Sequence, residues 1–225
     1  MTIIKSILFL TIFLFNFEIQ AFPLPEDKKA SFDIIRKNKI IGSYEILFSK
    51  ENEDLIIETN VDILYKKLFI VFYSFSHYSK EIWRNHEFVE ITGNTKFEDE
   101  REYDIKGKML NNTFIFSGMD GESELENNLI PSNYWNQNVM FQDEIFDTQK
   151  GIIRKINVNH KGEETIIIND KKIDCIKFIL NASKHPKDKG PFSETTLWYS
   201  KDKELMKFNF KNPKDSSIIH IVRKK

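Results

Sequence analysis

Regular alternation of apolar and polar residues limits what this chain can fold into more than any other feature. In LIIETNVDI (residues 55–63), Leu55, Ile57, Thr59, Val61 and Ile63 fall on one side, and Glu58, Asn60 and Asp62 on the other. Successive side chains of a strand point to opposite faces, so this pattern describes a strand with one face buried and one in water. The pattern recurs. IIGSYEILF (residues 40–48) groups Ile40, Tyr44, Ile46 and Phe48 with Gly42, against Ser43 and Glu45. IIRKINV (residues 152–158) sets Ile152, Ile156 and Val158 against Lys155 and Asn157, and KELMKFNF (residues 203–210) sets Met206, Phe208 and Phe210 against Lys207 and Asn209.

Short polar segments separate these runs: RKNK (36–39), KENED (50–54), HKGEE (160–164), NDKK (169–172) and SKDK (200–203). Their lengths suit hairpins, so neighbouring strands are expected to pair directly, about a dozen of them in all. Two stretches interrupt the rhythm. LYKKLFIVFYSF (64–75) fits a helix and a strand alike, and IPSNYWNQNVM (130–140) reads as a loop or short helix opening at Pro131-Ser132. A meander this long must curl or form a sandwich to protect its edges. The expected fold is therefore mostly all-β: one strongly curved antiparallel β-meander, an open or partly closed barrel, with a short helix or loop on the concave side. A two-layer β-sandwich is the alternative. The three alanines, Ala21, Ala30 and Ala182, against 20 phenylalanines point away from a helical bundle.

Charge and leader narrow the setting. The net charge of -1 over 225 residues gives no basic excess with which to neutralise phosphates, so no nucleic-acid partner is expected. Lys5, the apolar run SILFLTIFLFNF (6–17) and EIQA ending at Ala21 form the pattern of a secretory signal peptide. The run is shorter than the roughly 20 residues that span a bilayer. Residues 1–21 are thus read as a leader and 22–225 as one β-rich domain, with no transmembrane span after cleavage. The bulky Ile19 before the cut leaves a retained anchor as the alternative. Cys175 is the only cysteine. It lies far from the cut, so no lipid attachment is expected, and one thiol cannot form an internal disulfide.

YSFSHYSKEIWRN (73–85) holds the candidate chemistry. On a strand, Tyr73, Phe75, His77, Ser79, Glu81 and Trp83 share a face, and the backbones of His77 and Glu81 stand about 13 Å apart. That exceeds the reach of a simple acid–base pair; on a helix the two would touch. Strand is the better reading, with Glu81 paired, protonated or at a wet opening. The other histidines, His86, His160, His185 and His220, make no metal-binding pair, and HEFVE (86–90) carries Glu90 where a zinc helix needs its second histidine. No catalytic residue, metal or cofactor is assigned. Trp83, Trp135 and Trp198 are the aromatic anchors, and with Tyr73, Phe75, His77 and Glu81 they form the candidate ligand-binding set.

The order of features is similar to that of a known family. The hairpin with Phe32, Ile34, Ile41 and Gly42, the Glu81-x-Trp83 stretch, YWN (134–136), DTQKG (147–151) and LWYSKDKELMKFNF (197–210) together resemble an uncharacterised family of exported proteobacterial proteins, domain of unknown function 6134. The resemblance implies a periplasmic β-rich protein and carries over no activity and no residue role. The curved sheet also resembles lipoprotein-carrier folds in shape. The leading expectation is a periplasmic, non-enzymatic protein holding a lipid-like or other apolar ligand on an aromatic concave face. A structural or protein-binding envelope component is the alternative, and a hydrolase using His77 and Glu81 is the third reading.

Overall fold

The structure is a computed structural model that describes residues 24–224, apart from residues 68, 100, 126–128, 190–191 and 213–214. The leader expected over residues 1–21 lies outside the described residues. The first eight strands are β1 Lys29–Arg36, β2 Lys39–Glu51, β3 Asp54–Lys67, β4 Ile70–Arg84, β5 Glu87–Phe97, β6 Glu102–Leu110, β7 Thr113–Gly118 and β8 Gly121–Leu125. A second series follows: β9 Ile130–Pro131, β10 Glu144–Asp147, β11 Ile152–Ile168, β12 Lys171–Ala182, β13 Thr195–Ser200, β14 Leu205–Lys211 and β15 Ile218–Arg223.

All fifteen belong to one sheet, and each strand pairs with the next in the chain except across one seam. Strand β15 returns to pair with β1, which leaves β8 and β9 as the free edges. The result is the open, partly closed barrel expected from the alternation. The pairing is antiparallel except between β9 and β10, which run parallel over two residues. Among the described residues one backbone hydrogen bond bridges the seam, from the Met119 amide to the Lys150 carbonyl at 2.7 Å, and beside it Asp120 pairs with His185 and Lys187. Gly118 makes this approach possible: a Cβ there would stand 2.4 Å from the carbonyl oxygens of Lys150 and Gly151.

Hairpin chemistry explains five of the asparagines. Lys37-Asn38, Asn85-His86, Asn111-Asn112 and Asn169-Asp170 all carry positive φ at both turn positions. Two-residue turns of this kind match the twist of the flanking strands, and asparagine tolerates the left-handed region better than most residues. His86 is therefore a turn residue and HEFVE continues as β5, so the stretch that began like a zinc helix is extended.

Three bulges change the expected faces. Between β1 and β2 the register slips so that Ile34 faces Gly42 and Ile35 faces Ile40. Ile41 takes the inward place, and Ile40 is exposed, against its expected grouping with Tyr44. HKGEE does not end a strand. It is a bulge between His160 and Gly162 inside the continuous β11, with Gly162 at φ +84°. Between β13 and β14, Trp198 faces Lys207 but Tyr199 faces Leu205. Met206 is the extra residue; it packs beside Trp198, while Phe208 and Phe210 pack with Leu205 against the main core. A bulge adds one residue to one strand, so alternation beyond it changes phase.

The two ambiguous stretches also resolve. Residues 64–67 end β3 and residues 70–75 begin β4, the two paired antiparallel and not helical. After Pro131 ends β9, a 3-10 helix spans Gln137–Phe141; its cap is Asn136, whose side chain accepts from the Asn138 amide at 3.0 Å. The helix thus begins later than Pro131-Ser132. With the segment before it, it enters the concave side as a plug: Asn133, Tyr134, Trp135, Gln137, Val139 and Met140 are buried. Trp135 meets Trp83 edge to face at 5.2 Å and Phe48 at 5.8 Å. Beside them, Phe88, Phe114, Phe116 and Phe146 form an aromatic cluster that fills one end of the interior.

Candidate functional site

Alternation along β4 sends Phe75, His77, Ser79, Glu81 and Trp83 inward, all buried, as the strand reading expects. Register sets Thr59 beside Ser79 and Thr95 beside His77, so β3, β4 and β5 carry a polar belt across an otherwise apolar face. Polar groups are costly to bury without partners; the plug matches Ser79 and Glu81, His77 and Thr95 meet each other, and Thr59 Oγ1 has no hydrogen-bond partner among the described residues.

Glu81 is the anchor of that match. Its Oε2 accepts from the indole N–H of Trp83 at 2.8 Å and of Trp135 at 3.2 Å, and its Oε1 accepts from the Asn133 amide. Asn133 also donates to Ser79 Oγ at 3.0 Å and accepts from Thr148 Oγ1 at 2.9 Å. The plug backbone is held as well. The Tyr44 hydroxyl donates to the Asn133 carbonyl, and the Tyr199 hydroxyl donates to the Tyr134 carbonyl at 2.9 Å. Tyr134 sits at φ +60°, a conformation that L-residues reach at a cost and that this dense bonding offsets. Burial pushes the Glu81 carboxyl up to about 7, against the opposing pull of Trp83, Trp135 and Asn133. Burial likewise holds the Tyr44 and Tyr199 hydroxyls well above their usual range, so they remain donors.

His77 has a different environment. Its Nδ1 is 2.8 Å from Thr95 Oγ1, and its buried Nε2 has no hydrogen-bond partner among the described residues. Burial depresses its pKa to about 4, with the nearby Asn133 side chain opposing the shift, so the ring is neutral at physiological pH. His77 and Glu81 are not bonded to each other; Asn133 stands between them. The geometry supplies no acid–base pair of the kind the hydrolase reading required.

Beside the plug lies a cavity of about 220 Å³. Tyr73, Phe75, Phe97, Tyr44, Phe208 and Phe210 contribute aromatic walls, Ile34, Val61, Ile63 and Ile221 aliphatic ones, and His77, Ser132, Asn133 and Gln149 polar points. A smaller space of about 120 Å³ adjoins it through Ile63, Tyr73 and Phe210 and reaches Arg36 and Asn212 at one end of the barrel.

The seven candidate residues thus divide. Tyr73, Phe75 and His77 line the cavity. Glu81, Trp83 and Trp135 join the plug to the sheet. Trp198 faces the other side of the sheet, where it packs with Ile166, Ile168, Cys175 and Met206 and lies under Lys177 and Lys207 at 5.2 and 5.0 Å. Its neighbours Leu197 and Tyr199 take the inward positions, so a tryptophan between them points outward.

A second buried polar group was not anticipated. Arg154, enclosed between β11 and the loop before β13, donates from Nε to Asp147 at 2.7 Å. Its Nη1 and Nη2 donate to Asp188 at 2.9 and 3.1 Å, and Lys150 also binds Asp188. Although burial acts to raise it, these partners and the His185 amide hold the Asp188 carboxyl far below its usual range. The cluster fastens the 183–188 loop over the turn after β10. Alternation offered a sign of it, since Arg154 shares parity with Ile152 and Ile156.

Fold and site together define a β-barrel-like protein with a plugged, apolar interior. The chain belongs to the family described as Domain of unknown function (DUF6134), whose pattern matches residues 32–223. No curated protein matches it. Among solved structures it is similar to a "Beta-barrel-like Protein of Domain of Unknown Function DUF1849" from Brucella abortus. That match has a TM-score of 0.61 and 8% identity over 88% of this chain and 95% of the other, which shows a shared fold. A "putative lipoprotein" from Parabacteroides distasonis matches with a TM-score of 0.35 and 11% identity, over 91% of this chain and 97% of the other.

Proposed function

We propose that this protein binds the apolar portion of a small molecule in the cavity beside the plug, without acting on it chemically. The carrying observation is an aromatic and aliphatic cavity of about 220 Å³ with His77 Nε2, which has no hydrogen-bond partner among the described residues, at its wall. An apolar space of roughly 150 Å³ is enough to take a benzene ring, and whole drug-sized ligands use about 300–1,000 Å³. The cavity therefore suits one acyl chain or one ring system, with a hydroxyl or carboxyl group hydrogen-bonded to Nε2. The leader pattern supports export to the periplasm as the place of action. No helix among the described residues is long and apolar enough to cross a membrane.

Native mass spectrometry of the protein taken from its own host, followed by solvent extraction, tests the reading. The expected result is an extractable apolar mass that Val61→Trp abolishes, because the larger side chain fills the cavity. A bare wild-type mass, together with no uptake of a fluorescent fatty acid in vitro, would overturn it.

A further inference from the structure

We propose that the end of the barrel formed by the β3–β4 hairpin docks on an anionic lipid surface, with the hairpin tip entering the interface. This goes beyond the binding function, and the docking does not depend on the cavity being occupied.

The tip has an unusual surface. Phe69 is 100% exposed, Ile70 62%, Val71 50%, Phe72 53% and, across the hairpin, Leu64 51%. Consecutive residues of a strand point to opposite faces, so the hairpin is apolar on both faces at once. A flat protein-binding patch needs only one apolar face; a wedge apolar on both faces suits a medium that surrounds it. Register places more apolar surface at the same end. Arg36 pairs with Lys39 and with Ile219, and Lys211 with Ile218, so Ile40 and Ile218, both exposed, stand on neighbouring hairpins of this rim. Soluble chains seldom leave such residues clustered in water unless something covers them.

Charge identifies the cover. The chain as a whole carries -1, but on the β1–β2 side of the tip Arg36, Lys37, Lys39 and Lys66 outnumber Asp62 and Asp215; on the other side the β5–β6 turn carries Glu98, Asp99 and Glu102, where Asp99 is held by Arg101 and Lys189 and Glu102 by Lys96. Asp215 is itself bound by Arg36 and Lys37. Lys39 and Lys66 lie behind the apolar tip, where their stems can follow apolar surface while the ammonium groups reach phosphate. An apolar tip with a basic collar fits the boundary between acyl chains and anionic headgroups. The smaller space beside the cavity, lined by Arg36, Tyr65 and Tyr73, reaches this same end.

The test uses a polarity-sensitive dye on a cysteine at position 69 (Phe69→Cys), with Glu53→Cys at the opposite end of the barrel as the control. Cys175 is 1% exposed and stays unlabelled in the folded protein. Vesicles of phosphatidylglycerol and phosphatidylcholine are compared with phosphatidylcholine alone. The expected result is a blue shift and a severalfold rise in emission at position 69 with the anionic vesicles, little change with the neutral ones, and none at position 53. The double variant Lys39→Glu/Lys66→Glu should lose most of the rise. A silent position 69, equal responses at both positions, or a response only to an envelope protein fraction would overturn the proposal. The same label on the cavity-filled Val61→Trp chain reads docking alone, so failure to dock and failure to bind a ligand are distinguishable.

Discussion

Replacing Glu81 by glutamine should change how stability depends on pH in a direction the structure specifies. Burial raises the Glu81 carboxyl to about 7 in the folded protein, from an ordinary 4.5. Between those values the folded state keeps a proton that the unfolded state has released, so the contribution of Glu81 is fully present below pH 4.5 and is lost as pH rises towards 7. Each unit of pKa difference is worth about 1.4 kcal/mol, so the loss is on the order of 3 kcal/mol. His77 acts in the opposite sense. Burial lowers it to about 4 from 6.5, so its contribution is present above pH 6.5 and is lost as pH falls towards 4, again by an amount on the order of 3 kcal/mol. The windows overlap, and in the wild-type protein the two slopes largely cancel. Urea unfolding at intervals from pH 4 to 8 separates them. Glu81→Gln should lose stability steeply on acidification through pH 6.5 to 4, and His77→Gln should lose it as pH rises from 4.5 to 7. The constant part of each difference reports the altered hydrogen bonds; the slope reports the proton. A difference between wild type and Glu81→Gln that stays flat from pH 4.5 to 7 would refute the reasoning.

Four further substitutions probe the framework. Asn133→Ala leaves Ser79, Glu81 and Thr148 short of a partner and should lower stability by about 2–3 kcal/mol in urea unfolding, together with faster hydrogen exchange across residues 132–137. Arg154→Met removes the buried cation shared by Asp147 and Asp188, leaving Asp147 without an ion-pair partner and Asp188 with Lys150, and should cost about 3–5 kcal/mol, whereas Lys177→Met on the surface should cost under about 1 kcal/mol by the same assay. Gly118→Ala places a methyl group against the Lys150 and Gly151 carbonyls; the Met119 amide should then exchange faster while amides of the β3–β4 pair keep their protection.

The alternation in LIIETNVDI and SFSHYSKEIW was enough to place β3 and β4 and to turn His77, Glu81 and Trp83 inward, because side-chain direction in a strand follows local parity. The same rule failed at Ile40, Met206 and HKGEE. A bulge is decided by how a strand meets its partner, and no window of one strand contains that information. The face of Trp198 is hidden from the sequence for a related reason: in TTLWY three consecutive residues are buried, and only the packing of Leu197 and Tyr199 into the core shows which face Trp198 takes. The partners of Glu81 lay beyond reach as well. Asn133 and Trp135 are more than fifty residues away in the chain, and nothing local marks Asn133 as more than a loop residue.

By itself the sequence determined that this chain folds as a long β-meander with polar hairpins, that β4 carries polar residues into its interior, and that the YWN segment interrupts the sheet. Those properties depend on neighbours one to three residues apart. Only the tertiary structure decided that the meander returns to pair β15 with β1, that the interruption folds inward as a plug on Glu81, and that a cavity remains beside Tyr73, Phe75 and His77. Closure, burial and leftover volume are sums over contacts between distant strands, and they exist only once the whole sheet has curved.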